Sequence, residues 1–294
     1  MPSASGTLRN HVRLATTDSL ILRSPYDARE RAIIAAMGKL RCELAAGATA
    51  EAGRRLVSVV LPVYDRADIV SRAILSVLTQ THRRIQLVVV DDGSSDDLAN
   101  VVAGFRDPRL TFVALEENRG HAAARNRGLQ AARGEYVAYL DSDDWWDADL
   151  IRILLSVLLE QDAAFAYSAQ RVLRPFRPNQ AGRQEMIRFS PYNRSLLENN
   201  NYISMISVLH RREAALEVGG FDESFRRYSD WDFFLRLAER FPPVAVPVVL
   251  STYDQGTTGS VSGTELSFAR LMGPPGCHEL GTTSGGLPVV VRAS

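Results

Sequence analysis

The chain alternates short apolar runs with helical stripes of apolar positions, the pattern of strands and helices taking turns. Residues 57–61 (Val-Ser-Val-Val-Leu) read as a buried strand ended by Pro62. Ile69, Ala73, Ile74, Val77 and Leu78 then recur on one helical face. Residues 85–90 form a second, almost wholly apolar strand, stopped by Asp91-Asp92-Gly93-Ser94-Ser95. A third strand is expected over 110–115, then a helix over 121–132 closed by Gly134 as a C-cap. Residues 136–140 give a fourth strand running into Asp141, followed by a helix over 149–159 and a fifth strand over 163–169. Strands that are apolar throughout and separated by helices suit a parallel sheet covered on both faces. The expected fold class is α/β: a mixed, mainly parallel sheet flanked by helices, in a single main domain.

On either side of this core the pattern weakens. Ile33, Ile34, Met37, Leu40 and Leu44 predict one amphipathic helix over 27–46, packed against the main domain, and 47–53 reads as a linker. Residues 171–201 are polar, carry prolines at 175, 178 and 191, and are expected to form a long loop that acts as a lid. The pattern resumes over 203–209, a Gly219-Gly220-Phe221-Asp222 turn, a helix over 230–239 and a strand over 244–250. From Gly273 onward Gly, Pro, Thr and Ser dominate, the composition of a poorly ordered tail. The expected organisation is an extension over 1–55, a domain over 56–262 (a nucleotide half over 56–145, an acceptor half over 146–262), and a tail over 263–294.

Composition excludes some functions. The 34 Lys+Arg residues cancel the 34 Asp+Glu residues, which argues against nucleic acid as a partner. Cys42 and Cys277 are the two cysteines and stand far apart, so neither a zinc cluster nor a disulfide framework is expected, and a reducing, cytoplasmic setting fits. The first 22 residues lack a secretory signal, and apolar stretches such as 244–250 are too short to cross a bilayer. Membrane contact is expected to be at most peripheral, at the inner face.

The chemistry gathers where apolar strands end, the edge at which open α/β sheets bind ligands. Asp141 and Asp143, two apart in a segment read as extended, would face one side. Their hard oxygens suit Mn²⁺ or Mg²⁺ on a diphosphate; the alternative is a set of acids capping the helix that follows. Asp91-Asp92-Gly93-Ser94 is equally readable as a base- or ribose-binding carboxylate and as an Asx turn. Arg119, Arg125 and Asn126 lie near a helix start and suit phosphate or ribose, whereas Arg127 and Arg133 read as solvated charge. Ser229 and Asp232 have capping-box spacing, which leaves Asp230 to face the cleft as a general base. His82, His121, His210 and His278 show no metal or triad spacing and read as structural or surface residues.

In order, Val57 to Tyr64, Val90-Asp91-Asp92-Gly93-Ser94-Ser95, Asn118-Arg119-Gly120, Ala124-Arg125-Asn126, Gly134-Glu135-Tyr136, Asp141-Ser142-Asp143-Asp144, Gly219-Gly220-Phe221-Asp222 and Ser229 to Leu237 resemble the family 2 glycosyltransferases of the GT-A fold. The resemblance implies an inverting transferase that uses a nucleoside-diphosphate sugar, often UDP-linked, and a hydroxyl acceptor. It further implies that Pro62, Tyr64 and Asp92 hold the base, that Asp141 and Asp143 engage the sugar-nucleotide and its metal, and that Asp230 is the catalytic base.

Three departures stand out. Ser229 occupies a position where the family often has Glu, and Thr257 and Thr258 stand where many members carry His before a segment like Gly259-Ser260-Val261-Ser262. The Gln-x-x-Arg-Trp signature of processive members is absent, which points to one sugar per encounter. The competing readings are a sugar-nucleotide-binding partner subunit that has lost transfer, and a nucleotidyltransferase. The second would show a Gly-rich basic loop where Tyr64-Asp65-Arg66-Ala67 stands.

Overall fold

A computed structural model describes residues 19–175 and 183–256. In chain order the elements are β1 (Leu20–Arg23), α1 (Ala28–Ala46), α2 (Ala50–Arg54), β2 (Val57–Val63), α3 (Val70–Leu78), β3 (Ile85–Asp91), α4 (Leu98–Ala103) and β4 (Leu110–Ala114). There follow α5 (His121–Ala131), β5 (Tyr136–Tyr139), β6 (Trp145–Trp146), α6 (Leu150–Glu160), β7 (Phe165–Pro175), β8 (Arg183–Phe189) and α7 (Arg194–Asn199). A 3₁₀ turn (Met205–Ser207), β9 (Val208–Arg211), α8 (Arg212–Glu217), α9 (Ser229–Arg240) and β10 (Val244–Asp254) complete the described chain.

β4, β3, β2 and β5 are neighbours in that order and all parallel, and β9 joins β5 antiparallel. The chain therefore starts in the middle at β2, moves outward through β3 to β4, and returns to the other side of β2 as β5. That reversal is a topological switch point, and it opens a crevice between the carboxyl ends of β2 and β5. β7 pairs with β9 over its first residues and with β8 over its later ones, while β10 lies parallel along its other edge.

Every residue of β2 and β3 is buried, which explains their unbroken apolar runs. Val57, Val59, Leu61 and Val63 pack with α3 and α6 on one face, whereas Val60 packs with α5 on the other. Burying one such side chain contributes roughly 1.5–3 kcal/mol. Helix α5 approaches β2 closely: a Cβ on Gly128 would lie 2.2 Å from Val60 Cγ1.

Several expectations need correction. Pro62 does not end β2 but sits within it. Val57 N bonds Arg84 O and Val63 O receives Asp92 N, both toward β3, while Val60 O receives Leu140 N on the β5 side. By alternation Pro62 faces β5's side, past the end of that ladder, where no N–H is needed. Gly134 is not a helix cap. The helix ends at an extended Ala132, and a Cβ on Gly134 would come within 2.5 Å of Ser58 N, so glycine is required by close strand approach. The expected linker contains α2, capped by Thr49 Oγ1 accepting from Ala52 N at 3.2 Å.

The expected polar lid is largely the antiparallel pair β7–β8 followed by α7. Buried Met186, Ile187 and Phe189 anchor β8, and cross-strand pairs such as Arg171–Glu185 at 3.3 Å account for the polarity. Residues 176–182 of that segment, the tail from Gly273, and the 257–262 segment with its departures lie outside the described residues. Before the main sheet, β1 pairs with β8 as an added strand. Helix α1 carries a capping box between Asp27 and Glu30, and its Arg41 reaches Asp147 and Asp149 at 2.8 and 3.1 Å. Cys42 on this helix is exposed and free.

Candidate active site at the carboxyl edge of the sheet

Two loops close the β2–β3 side of the crevice. Tyr64 follows β2 and is 45% exposed, an aromatic face open to a flat ligand. Behind it Asp65, at positive φ, accepts from Ser95 N at 2.7 Å, and its own N donates to Ser94 Oγ at 3.0 Å. The bond from Ser95 N is the main cause holding the Asp65 carboxyl below its ordinary range, and both bonds tie the β2 loop to the β3 loop. Pro62 is buried at the floor. Asp92 turns inward: its two oxygens accept from Arg119 N at 2.8 Å and Gly120 N at 2.9 Å. The carboxylate thus orders the approach to α5, while the Arg119 side chain lies at the surface 3.1 Å from Glu223.

Helix α5 presents His121 and Arg125, one turn apart, on the same side. Arg125 is buried and its Nη2 donates to Asp141 Oδ1 at 2.8 Å. Burial disfavours the charged guanidinium, but the charges of Asp141 and then Asp230 outweigh it and raise its pKa above the usual arginine range. The buried cation is thus paired with Asp141 and lies within electrostatic reach of Asp230 from a distant part of the chain. His121 is open to solvent yet flanked by protein, and its pKa is lowered by burial first and then by Arg125. It also senses Asp141, Asp92 and Asp143, so it stands amid the acids.

Asp141 and Asp143 do not follow strand alternation. The segment turns, with Asp144 N donating to Asp141 O at 3.2 Å, and it is this turn that carries both carboxylates. Asp141 is half-buried and Asp143 is buried. Below them Asp144 accepts from Asp254 N at 2.8 Å, and burial pushes its carboxyl well above the ordinary range. Arg72 stacks 3.8 Å from the Trp145 ring and donates to Asp143 O at 2.6 Å, bracing the turn. Among the described residues no three His, Cys, Asp or Glu side chains gather into a metal cage. A donor set of one or two carboxylates is nonetheless what Mn²⁺ or Mg²⁺ uses when phosphate and water complete its shell, so the Asp141–Asp143 turn fits such an ion.

Asp230 lies in the first turn of α9, which does not start with the capping box expected. Tyr228 is the N-cap, in a left-handed conformation with φ 62°, so Ser229 falls inside the helix and is buried. Asp232 instead pairs with Arg236 at 2.6 Å. Asp230 accepts from Trp231 N at 2.9 Å and from Asn201 Nδ2 at 3.1 Å, and it remains half-buried on the side of Arg125. Asn126 has partners other than those expected. Its amide bonds both Phe221 N and Phe221 O, each at 2.8 Å, and so fixes the Gly219-Gly220-Phe221-Asp222 turn.

Residues 58–219, more than half of the chain, match the sequence model of glycosyl transferase family 2. The chain belongs to that family.

As a family 2 glycosyltransferase it is 37% identical over 118 residues to the UDP-Glc:alpha-D-GlcNAc-diphosphoundecaprenol beta-1,3-glucosyltransferase WfgD of Escherichia coli. That alignment covers 40% of this chain and 47% of WfgD, so the chain matches about half the relative's length. The fold resembles S. aureus TarS bound to UDP-GlcNAc, with a TM-score of 0.60 and 18% identity over 72% of this chain and 62% of that one. It also resembles the Pyrobaculum calidifontis mannosyltransferase PcManGT bound to GDP-Man and Mn²⁺, with a TM-score of 0.54 and 20% identity over 78% of this chain and 69% of that one. The fold is GT-A.

His121, which the sequence reads as a structural or surface residue, and Asn201, which no motif marks, both stand at this site. His121 was within reach, because it lies four residues before Arg125 on one helix. Asn201 was not, since its link to Asp230 exists only once α9 packs beside α7.

Proposed function

We propose that this glycosyltransferase is inverting and non-processive, moving a sugar from a UDP-linked donor to an acceptor hydroxyl in surface polysaccharide or glycoconjugate synthesis. The observation that carries this reading is buried Arg125 at the switch-point crevice, paired with Asp141 at 2.8 Å and within electrostatic reach of Asp230. Tyr64 offers its ring to the base, with Pro62 beneath it. Arg119 lies on the nucleotide side, and Asp92, Arg125 and Asn126 hold the surrounding loops and acids in place.

Asp141 and Asp143 would hold Mn²⁺ or Mg²⁺, which supplies positive charge to the departing diphosphate. Asp230 takes the proton from the acceptor hydroxyl, and that oxygen attacks the anomeric carbon. The new C–O bond forms as the bond to the diphosphate breaks, so configuration inverts. Asn201 donates to the Asp230 carboxylate and fixes its position. The TarS complex with UDP-GlcNAc and the diphosphate-linked acceptor in WfgD's name support a UDP-sugar donor and a glycan acceptor. Among the described residues no helix is long and apolar enough to cross a membrane, which supports contact that is peripheral at most.

The test is product analysis after incubation with a panel of nucleotide sugars, Mn²⁺ and acceptor glycans. Release of UDP with an inverted glycosidic product is expected. Binding of UDP-sugar with neither transfer nor hydrolysis would replace this reading with a binding subunit.

A further inference from the structure

The side chains that the sequence offers to a donor ribose are committed elsewhere in the fold. Asp92 accepts from Arg119 N at 2.8 Å and from Gly120 N at 2.9 Å. Arg119 pairs with Glu223 at the surface, Arg125 serves Asp141, and Asn126 bonds Phe221 and Glu223. His121 differs from all of these. Its side chain is exposed, and among the described residues no group hydrogen-bonds its ring.

Two bonds fix where that ring stands. Gly120, the residue before it, donates to Asp92 at 2.9 Å, and Arg125, one turn later on the same helix face, donates to Asp141 at 2.8 Å. A helical turn rises about 5.4 Å, so His121 lies between the acid at the end of β3 and the acids after β5. The charges that reach it agree: Arg125, then Asp141, Asp92 and Asp143. A Cβ on Gly120 would meet nothing within 4 Å, so the backbone leading into the ring is uncovered. A nucleotide sugar runs in the order base, ribose, diphosphate, sugar. With the base on Tyr64 and Pro62 and the diphosphate at the Asp141–Asp143 turn, the span between them belongs to the ribose, and His121 stands beside it.

We infer that His121 hydrogen-bonds a hydroxyl of the donor's ribose and so selects ribonucleotide over deoxyribonucleotide donors. The inference rests on the nucleotide-sugar donor of the transfer reading above and adds a specificity-determining residue to it. A hydroxyl both donates and accepts, whereas an ionised carboxylate such as Asp141 only accepts. The acids alone therefore leave the ribose oxygen without a donor. An imidazole carries an N–H in its neutral and its charged form, so His121 supplies that donor in either state.

The experiment titrates the full chain, with Mn²⁺ present, with UDP, 2′-deoxy-UDP and 3′-deoxy-UDP, which share base, diphosphate and metal. The parent should bind UDP about three- to tenfold tighter than at least one deoxy analogue. His121→Ala should weaken UDP by about that factor and leave that analogue's affinity unchanged, which removes the selectivity. His121→Gln keeps a side-chain N–H and should restore part of it. Equal weakening of all three ligands in His121→Ala would move the ring to the diphosphate or the base and overturn the assignment. So would a parent without selectivity, or a variant that binds all three as the parent does. UDP release from a UDP-sugar separates the two readings. Release by a parent that shows no ribose selectivity contradicts only the role of His121, whereas a parent that neither binds UDP nor releases it contradicts the transfer reading and this inference with it.

Discussion

His210 is wholly buried on β9, behind the site, with Nε2 3.2 Å from the Tyr139 hydroxyl and Nδ1 2.8 Å from Arg211 O. Burial lowers its pKa from 6.5 to about 4. The folded ring stays neutral where the unfolded ring takes a proton, so below about pH 6.5 the unfolded state binds more protons. Its contribution to stability is full above that pH and is lost as pH falls toward about 4. The slope is at most about 1.4 kcal/mol per pH unit, which over a shift of about 2.5 units amounts to roughly 3 kcal/mol. The perturbation is acidification from about pH 7.5 to about pH 4.5, in the parent and in His210→Gln, which keeps polar contacts without titrating there. Urea unfolding at each pH gives the stabilities. Burial also lowers the pKa of His82 and raises that of Asp144, but both chains carry these groups and they cancel in the difference. By about pH 4.5, roughly 2 units below the unfolded pKa, the parent should have lost about 2.5 kcal/mol relative to the variant. Parallel pH curves would refute the argument and place His210 within reach of water.

Two further outcomes follow from other parts of the molecule. A Cβ on Gly128 would press to 2.2 Å from Val60 Cγ1, so Gly128→Ala should cost about 1–3 kcal/mol in chemical denaturation, and an unchanged midpoint would show that α5 can shift. UDP affinity measured by calorimetry should rise at least about tenfold with Mn²⁺ and lose that gain in Asp143→Ala, whereas equal affinities would remove the metal from the Asp141–Asp143 turn.

Legibility in the sequence followed burial. β2, β3 and β5 are covered on both faces, so their apolar runs could be read directly, as could the acids at their ends. β8 escaped because an outer strand is held by register and by pairs such as Arg171–Glu185, which leave no period in the sequence. The start of α9 was misread because the positive φ at Tyr228 shifts the helix onset, and backbone of that kind has no side-chain signature. Ser229 and Asp232 therefore give no reason to leave Asp230 free. The reason visible in the structure is tertiary: buried Arg125, which helical spacing alone marks as solvated or ligand-binding, pairs with Asp141 and feels the charge of Asp230. Asn126 illustrates the same limit, since its partner Phe221 is brought to it only by folding.

The proposed mechanism assigns removal of the acceptor proton to Asp230. Replacing it by Asn preserves shape and the contacts to Asn201 and Trp231 N but ends proton acceptance. General-base catalysis contributes about 10²–10⁴-fold, so kcat for transfer in Asp230→Asn should fall by about that factor, with UDP-sugar affinity and melting temperature nearly unchanged. Transfer at the parent rate would contradict the assignment and place the base elsewhere.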